Sequence, residues 1–175
     1  NPSFLSTPGA KDVGIEFYTF SKTFNMAGWR LAFAAGNDQM IEALNLIQDH
    51  LFVGIFPALQ EAGIAALLDP KSEEAVAQLN ATYDSRRDAF VQAAAKIGWQ
   101  AFPSRGSFYA WMPVPEGYTS ESFADLLLEK VHVAVAPGKG FGPAGDAYVR
   151  IGLLVEPERL VEAVDRIANL HLFNN

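Results

Sequence analysis

Lys22 stands in the run Thr19-Phe20-Ser21-Lys22, which is followed by Asn25-Met26-Ala27-Gly28-Trp29-Arg30. A primary amine condenses with an aldehyde, and short hydroxyls together with a guanidinium hold a phosphate through charge-assisted hydrogen bonds. Lys22 offers the first chemistry. Thr19, Ser21 and Arg30 offer the second, with Arg30 eight residues beyond the lysine. An aldehyde and a phosphate on one small molecule describe pyridoxal 5'-phosphate, so Lys22 is a candidate catalytic lysine and Thr19, Ser21, Lys22 and Arg30 are candidate cofactor ligands. A lone lysine beside a serine is ordinarily a surface residue, and the reading rests on its surroundings. A nucleotide P-loop is the competing interpretation of Lys22-Thr23. It fails, because Gly-x-x-x-x-Gly-Lys-[Ser/Thr] needs glycines where Glu16 and Ser21 stand.

The elements that must position these residues follow from local patterns. Val13 to Phe20 reads as a strand, which sets Lys22 at its carboxyl end, where open α/β proteins bind ligands. Leu31 to Gly36 reads as a second strand. Asp38 to Leu51 is expected to be a helix capped by Asp38, with Met40, Ile41, Leu44, Ile47 and Leu51 at helical spacing. Pro57 is expected to open a helix reaching Leu68. Ser72 to Ile97 reads as a long alanine-rich helix, capped by Ser72 and ended by Gly98.

Beyond Gly98 the texture changes. Trp99–Phe102, Ser107–Met112, Val131–Ala136 and Ala147–Leu153 are short β-like runs, punctuated by turns at Pro103, Pro113, Pro115, Pro137-Gly138 and Gly142-Pro143. Helices are expected from Ser120, as cap, to Lys130 and from Pro157 to Leu170. The chain therefore reads as the end of a larger α/β lobe, residues 1–85, and a small α+β lobe, residues 86–175.

Half of the 175 residues are hydrophobic and 19% are charged, enough apolar content to build a core and too much for disorder. A net charge of −7 argues against nucleic acid or an anionic membrane as partner. The absence of cysteine removes disulfides, thiolate zinc sites and cysteine nucleophiles from consideration. No apolar run reaches the roughly 20 residues of a membrane helix. Asn1 to Ser6 has no basic stretch or cleavage pattern, so no secretory leader is expected there. His50, His132 and His171 lack ligand spacing, and no metal site is expected. Asp84, Arg86, Arg87 and Asp88, like Glu121, Asp125 and Glu129, read as solvated helix faces. Lys139, between two glycines, could reach a ligand near the Arg150 strand, whereas Trp29 and Tyr109 could line the pocket but read first as packing residues.

The run Phe20-Ser21-Lys22-Thr23-Phe24-Asn25-Met26-Ala27-Gly28-Trp29-Arg30 resembles the cofactor-lysine signature of the class I/II aminotransferases, fold-type I pyridoxal-phosphate enzymes. Further segments match in order: Gly106-Ser107-Phe108-Tyr109-Ala110-Trp111, Val135-Ala136-Pro137-Gly138 with Phe141-Gly142, and Tyr148-Val149-Arg150-Ile151. The resemblance implies an α/β fold, the C-terminal part of a large, mostly parallel-sheet cofactor domain followed by a small α+β domain. It implies that Lys22 carries the cofactor covalently and moves a proton at the substrate α-carbon. It implies phosphate binding by Thr19, Ser21 and Arg30, and Arg150 as the ligand of the substrate α-carboxylate; a lobe-stabilising salt bridge is the alternative for Arg150.

Transamination between an L-amino acid and a 2-oxo acid is the implied reaction. A β-lyase of the same fold and a non-catalytic scaffold domain are the alternatives. Phe24 to Trp29, Glu116 to Glu121 and Gly152 to Leu154 are closest in texture to methionine-salvage and diaminopimelate-type enzymes. Members of the family are usually cytoplasmic homodimers, with residues 40–68 expected at the dimer contact. The family's aspartate for the pyridine nitrogen and its glycine-rich helix start precede the lysine by more than the 21 residues present here. Asp12 is not in that aspartate's position, so the chain is expected to be the inactive back part of an enzyme.

Overall fold

The β-formers Ile15, Phe17, Tyr18 and Thr19 lie between an extended Gly14 and the Thr19 cap of the following turn, and this stretch forms β1 (Ile15–Thr19). A computed structural model of the chain describes residues 2–102, 104 and 106–173; Asn1 and the turn expected at Pro103 lie outside the described residues. The chain divides into two units between Gln78 and Leu79.

In the first unit, a short α1 (Ala10–Val13) leads into β1, so the strand starts two residues later than the pattern suggested. β1 pairs antiparallel with β2 (Ala32–Gly36), Thr19 opposite Ala32 and Ile15 opposite Gly36. The parallel pairing implied for the large domain is thus not between these two strands. One turn of helix, α2 (Phe20–Thr23), follows β1 directly. Its first residue, Phe20, is buried and meets Phe24 and Phe33 at ring-centroid distances of 5.6 and 5.7 Å.

The two longer helices are α3 (Asp38–Leu51) and α4 (Pro57–Leu68). Pro57 occupies the first turn of α4, where its missing N–H leaves no helical bond unmade. The cap of α3 is Asn37 rather than Asp38: the Asn37 side chain accepts from the Met40 N–H at 3.1 Å, and its Nδ2 donates to the Asp12 carbonyl at 2.9 Å. Asparagine wins because it caps and ties α1 at once, while Asp38 is left to favour the helix N-terminus by charge. Gly63 lets α4 approach Phe20 and Leu31; a Cβ there would stand 2.7 Å from Leu31 Cδ2.

α5 (Ser72–Lys96) runs through the division between the units. Ser72 lies inside the helix rather than capping it, its hydroxyl donating to the Ala65 carbonyl. In the second unit, β3 (Tyr109–Pro113), β4 (Ala136–Pro137) and β5 (Tyr148–Gly152) form an antiparallel sheet in the order β3-β5-β4. Trp99–Phe102 is not a strand, holding to β3 by the Phe102 N–H to Trp111 carbonyl bond, and of Val131–Ala136 only Ala136 is extended. Val131 is instead the last residue of α6 (Ser120–Val131), which the left-handed His132 ends. The cap of α6 is Thr119 in a reciprocal box with Ser122, because Ser120 is fully buried and committed elsewhere. α7 (Pro157–Ala168) completes the unit.

The core lies between the inner sheet face and the helices, built on Phe90, Trp99, Met112, Phe123, Val149 and Ile167. Arg86 is not on a solvated face: its side chain is mostly buried and pairs with Glu156 at 2.6 Å, while Arg87 pairs with Asp84 and Asp88. Across the chord of the second unit, the turns Gly138–Phe141 and Pro143–Ala147 touch main chain to main chain. A Cβ on Gly138 would lie 2.2 Å from the Gly145 oxygen, and one on Gly145 2.1 Å from the Gly138 oxygen.

Trp99 is 1% exposed, meets Phe90 and Phe123 edge-on and stacks on Phe173, and its indole N–H donates to the Pro113 carbonyl at 2.7 Å. Trp99→Ala is expected to lower the unfolding free energy by about 3–5 kcal/mol. Trp99→Phe is expected to lower it by about 1–3 kcal/mol through the carbonyl left without its donor. Urea unfolding followed by far-ultraviolet circular dichroism measures both.

Candidate active site

Lys22 sits in the single turn α2, exposed, while Phe20 beneath it is buried. The turn is fixed at both ends. Thr19 Oγ1 accepts the Ser21 N–H at 3.2 Å and donates to Ser21 Oγ at 3.0 Å, and the Tyr18 hydroxyl donates to Thr23 Oγ1 at 2.8 Å. Thr19, Ser21 and Lys22 are therefore brought together on one turn at the end of β1, with both hydroxyls close to the lysine in the chain.

Arg30 is the last residue of a 3₁₀ turn, Ala27–Trp29 with its cap, and takes a left-handed φ of 52°. Asn25 has a φ of 54°. Such values are uncommon in residues with a Cβ and persist where the surroundings enforce them. The Arg30 guanidinium donates to the Ala27 carbonyl at 2.9 Å and forms no ion pair among the described residues. It does not hydrogen-bond to Thr19 or Ser21. Instead it lines a cleft of about 1060 Å³ together with Asn25, Gly28, Trp29, Phe52 and Phe56, all within the first unit. Of the two readings of Trp29, packing and pocket lining, the structure favours the second: it is 47% exposed and borders this cleft.

Arg150 belongs to the second unit. β3 and β5 alternate half-buried and buried residues, and period-2 geometry puts Tyr109, Trp111, Tyr148 and Arg150 on the face away from the core. Arg150 stands opposite Trp111 in one pairing and opposite Ala136 in the other. The guanidinium carbon lies 4.2 Å from the ring centroid of Tyr109 and 4.2 Å from that of Phe141. Arg150 makes no ion pair among the described residues, so the salt-bridge alternative has no partner there. The contact of Phe141 with Arg150 was missed from sequence, because Phe141 lies nine residues away in a separate turn; the sequence offers Tyr109 as a pocket-lining or packing residue without marking Arg150 as its partner.

The family model for aminotransferase class I and II matches residues 5–167. The chain belongs to that family. It is 60% identical over 171 residues to the L-glutamine–4-(methylsulfanyl)-2-oxobutanoate aminotransferase of Bacillus subtilis, and 48% identical over 166 residues to an LL-diaminopimelate aminotransferase of Moorella thermoacetica. These alignments cover 98% and 95% of the chain and 42% of each relative, so the chain spans well under half the length of the proteins it matches. Among solved structures, apo-BacF of Bacillus subtilis superposes with a TM-score of 0.91 at 46% identity, over 99% of this chain and 44% of that one.

The family implies pyridoxal phosphate, and the residues present fit it. A primary amine, two hydroxyls and a guanidinium with no acidic partner among the described residues form a donor set suited to an aldehyde and a phosphate. A Cβ added to Gly28 would meet nothing within 4 Å, so the backbone beside Arg30 leaves the cleft open to a ligand.

Lys139 does not approach Arg150 among the contacts formed; its ammonium donates to Glu121 at 2.6 Å, and this hydrogen bond holds its pKa above the ordinary lysine value of 10.5. A raised pKa means that the pair's contribution is fully present below 10.5 and lost as pH rises through the higher folded-state value. Lys139→Met is therefore expected to lower stability slightly near neutral pH and to cost progressively less as pH rises beyond 10.5. Urea unfolding of both proteins across that range measures the difference.

Proposed function

We propose that the protein to which this chain belongs is an aminotransferase that moves an amino group between an L-amino acid and a 2-oxo acid, with pyridoxal phosphate bound at Lys22. The observation that carries this reading is the turn after β1, where an exposed lysine follows two hydroxyl residues hydrogen-bonded to each other. When bound, the cofactor supplies an aldehyde that takes up the amino group and a ring that draws electrons from the α-carbon. Thr19, Ser21 and Arg30 hold its phosphate and fix its orientation. The Lys22 amine would anchor the aldehyde between turnovers and, once released, would take the proton from the substrate α-carbon and deliver it to the cofactor carbon that had borne the aldehyde. Arg150 grips the α-carboxylate through parallel N–H bonds, which orients the α-hydrogen for removal.

By analogy with the relative at 60% identity, the substrate pair is glutamine and 4-(methylsulfanyl)-2-oxobutanoate. Such substrates go with a cytoplasmic location. Residues 1–85 act as the end of the cofactor domain and residues 86–175 as the small domain. Exposed apolar residues on α3, α4 and the loop between them, among them Leu46, Leu51, Phe52, Phe56 and Leu68, support a homodimer built on this region. No described helix is long and apolar enough to cross a membrane.

Borohydride reduction in the presence of pyridoxal phosphate, followed by peptide mapping, tests the reading on this chain and on one extended upstream. An adduct at Lys22 in either is expected, and its absence from both would sink the assignment. In the extended protein, Lys22→Ala is expected to abolish the adduct and to lower kcat by a factor of about 10²–10⁴. Keto-acid formation without release of ammonia separates transamination from β-elimination.

A further inference from the structure

An arginine on the outer face of a sheet is usually held by an acid. Arg150 is half-buried, has no ion pair among the described residues, and is held by rings instead. Tyr109 comes from the paired strand and Phe141 from the turn Gly138–Phe141, each centred 4.2 Å from the guanidinium carbon. Tyr109 packs further on Phe108 and Phe141 on Trp111, and the two rings around the guanidinium make no ring contact with one another among the described residues.

The chemistry of the group makes this arrangement selective. Guanidinium faces bind aromatic rings, while its N–H donors lie in the plane. Rings therefore fix the group without consuming the donors a ligand needs. A carboxylate partner would hold it equally well, but would occupy those donors and compete with any incoming anion. Although Phe141 is 53% exposed, the turn that carries it is anchored. The buried Ser120 hydroxyl donates to Asp146 at 2.8 Å and accepts the Lys139 N–H at 3.3 Å, and Gly138 abuts Gly145.

The geometry points to Phe141 and Tyr109 as positioning residues that hold Arg150 with its donor edge free, and so set the affinity of the site for the substrate carboxylate. This inference rests on Arg150 being the α-carboxylate ligand. The test separates the two. In the full-length, cofactor-loaded protein, binding of 4-(methylsulfanyl)butanoate, which has the carboxylate but neither amino nor oxo group, is measured by calorimetry. Steady-state KM and kcat are measured alongside.

Arg150→Lys is expected to weaken binding about a hundredfold. Phe141→Leu and Tyr109→Leu are each expected to weaken it about tenfold, with the loss appearing in Kd and KM ahead of kcat. Phe141→Tyr, which keeps a ring face, is expected to bind within about twofold of the parent. Tyr109→Leu serves as the independent measurement should Phe141→Leu reduce stability. If both leucine variants bind like the parent while Arg150→Lys is impaired, the clamp is wrong and the arginine's role stands. Equal weakening by Phe141→Tyr and Phe141→Leu would also overturn it, as packing rather than the ring face would then be responsible. Unimpaired binding by Arg150→Lys removes the arginine's role and the clamp with it.

Discussion

The register between β3 and β5 is the constraint on which the second unit turns. With Trp111 opposite Arg150 and Met112 opposite Val149, one face of the sheet carries Ala110, Met112, Val149 and Ile151 into the core. The other carries Tyr109, Trp111, Tyr148 and Arg150. A slip of one residue along β5 would exchange that strand's faces, bringing a guanidinium among Phe90, Trp99 and Phe123 and turning Val149 out. The cost of burying an unpaired charge and the loss of apolar burial act in the same direction, so the core that stabilises the unit also fixes where its arginine stands.

The first unit uses a different device. Its lysine turn is only four residues long, too short to persist through its own hydrogen bonds. What holds it is the buried Phe20 at its start, the β1–β2 pairing behind it and the Tyr18–Thr23 and Thr19–Ser21 bonds across it. The result is an exposed amine on a rigid base, the combination that covalent chemistry on a bound ligand requires.

The sequence revealed the elements where patterns are periodic or punctuated. α4 begins at Pro57 as the proline predicts, and α3, α6 and α7 fall within two residues of their expected spans. Caps were less legible. Asn37 competes with Asp38 and Thr119 with Ser120, adjacent residues with similar propensities, and the choice is settled by tertiary bonds to Asp12 and Asp146. Short apolar runs misled for the same reason: Trp99 and Val133 are β-formers, but their burial against the core comes from loops rather than strands. Lys22, Thr19, Ser21 and Arg30 stood out because local spacing marks them. Phe141 beside Arg150 did not, because contacts between a strand and an irregular turn leave no period to read.

The contact between Gly138 and Gly145 limits how this protein can vary. Most tight packing in a core can be relieved by shrinking the neighbour, so a lineage can trade one side chain against another. Here the obstacles are main-chain oxygens that every amino acid possesses. No second-site change of residue type can make room, and the two positions are closed to gradual exploration in a way that the surrounding turn is not. An exposed position of the same turn such as Gly140, where an added Cβ would meet nothing within 4 Å, carries no such restriction.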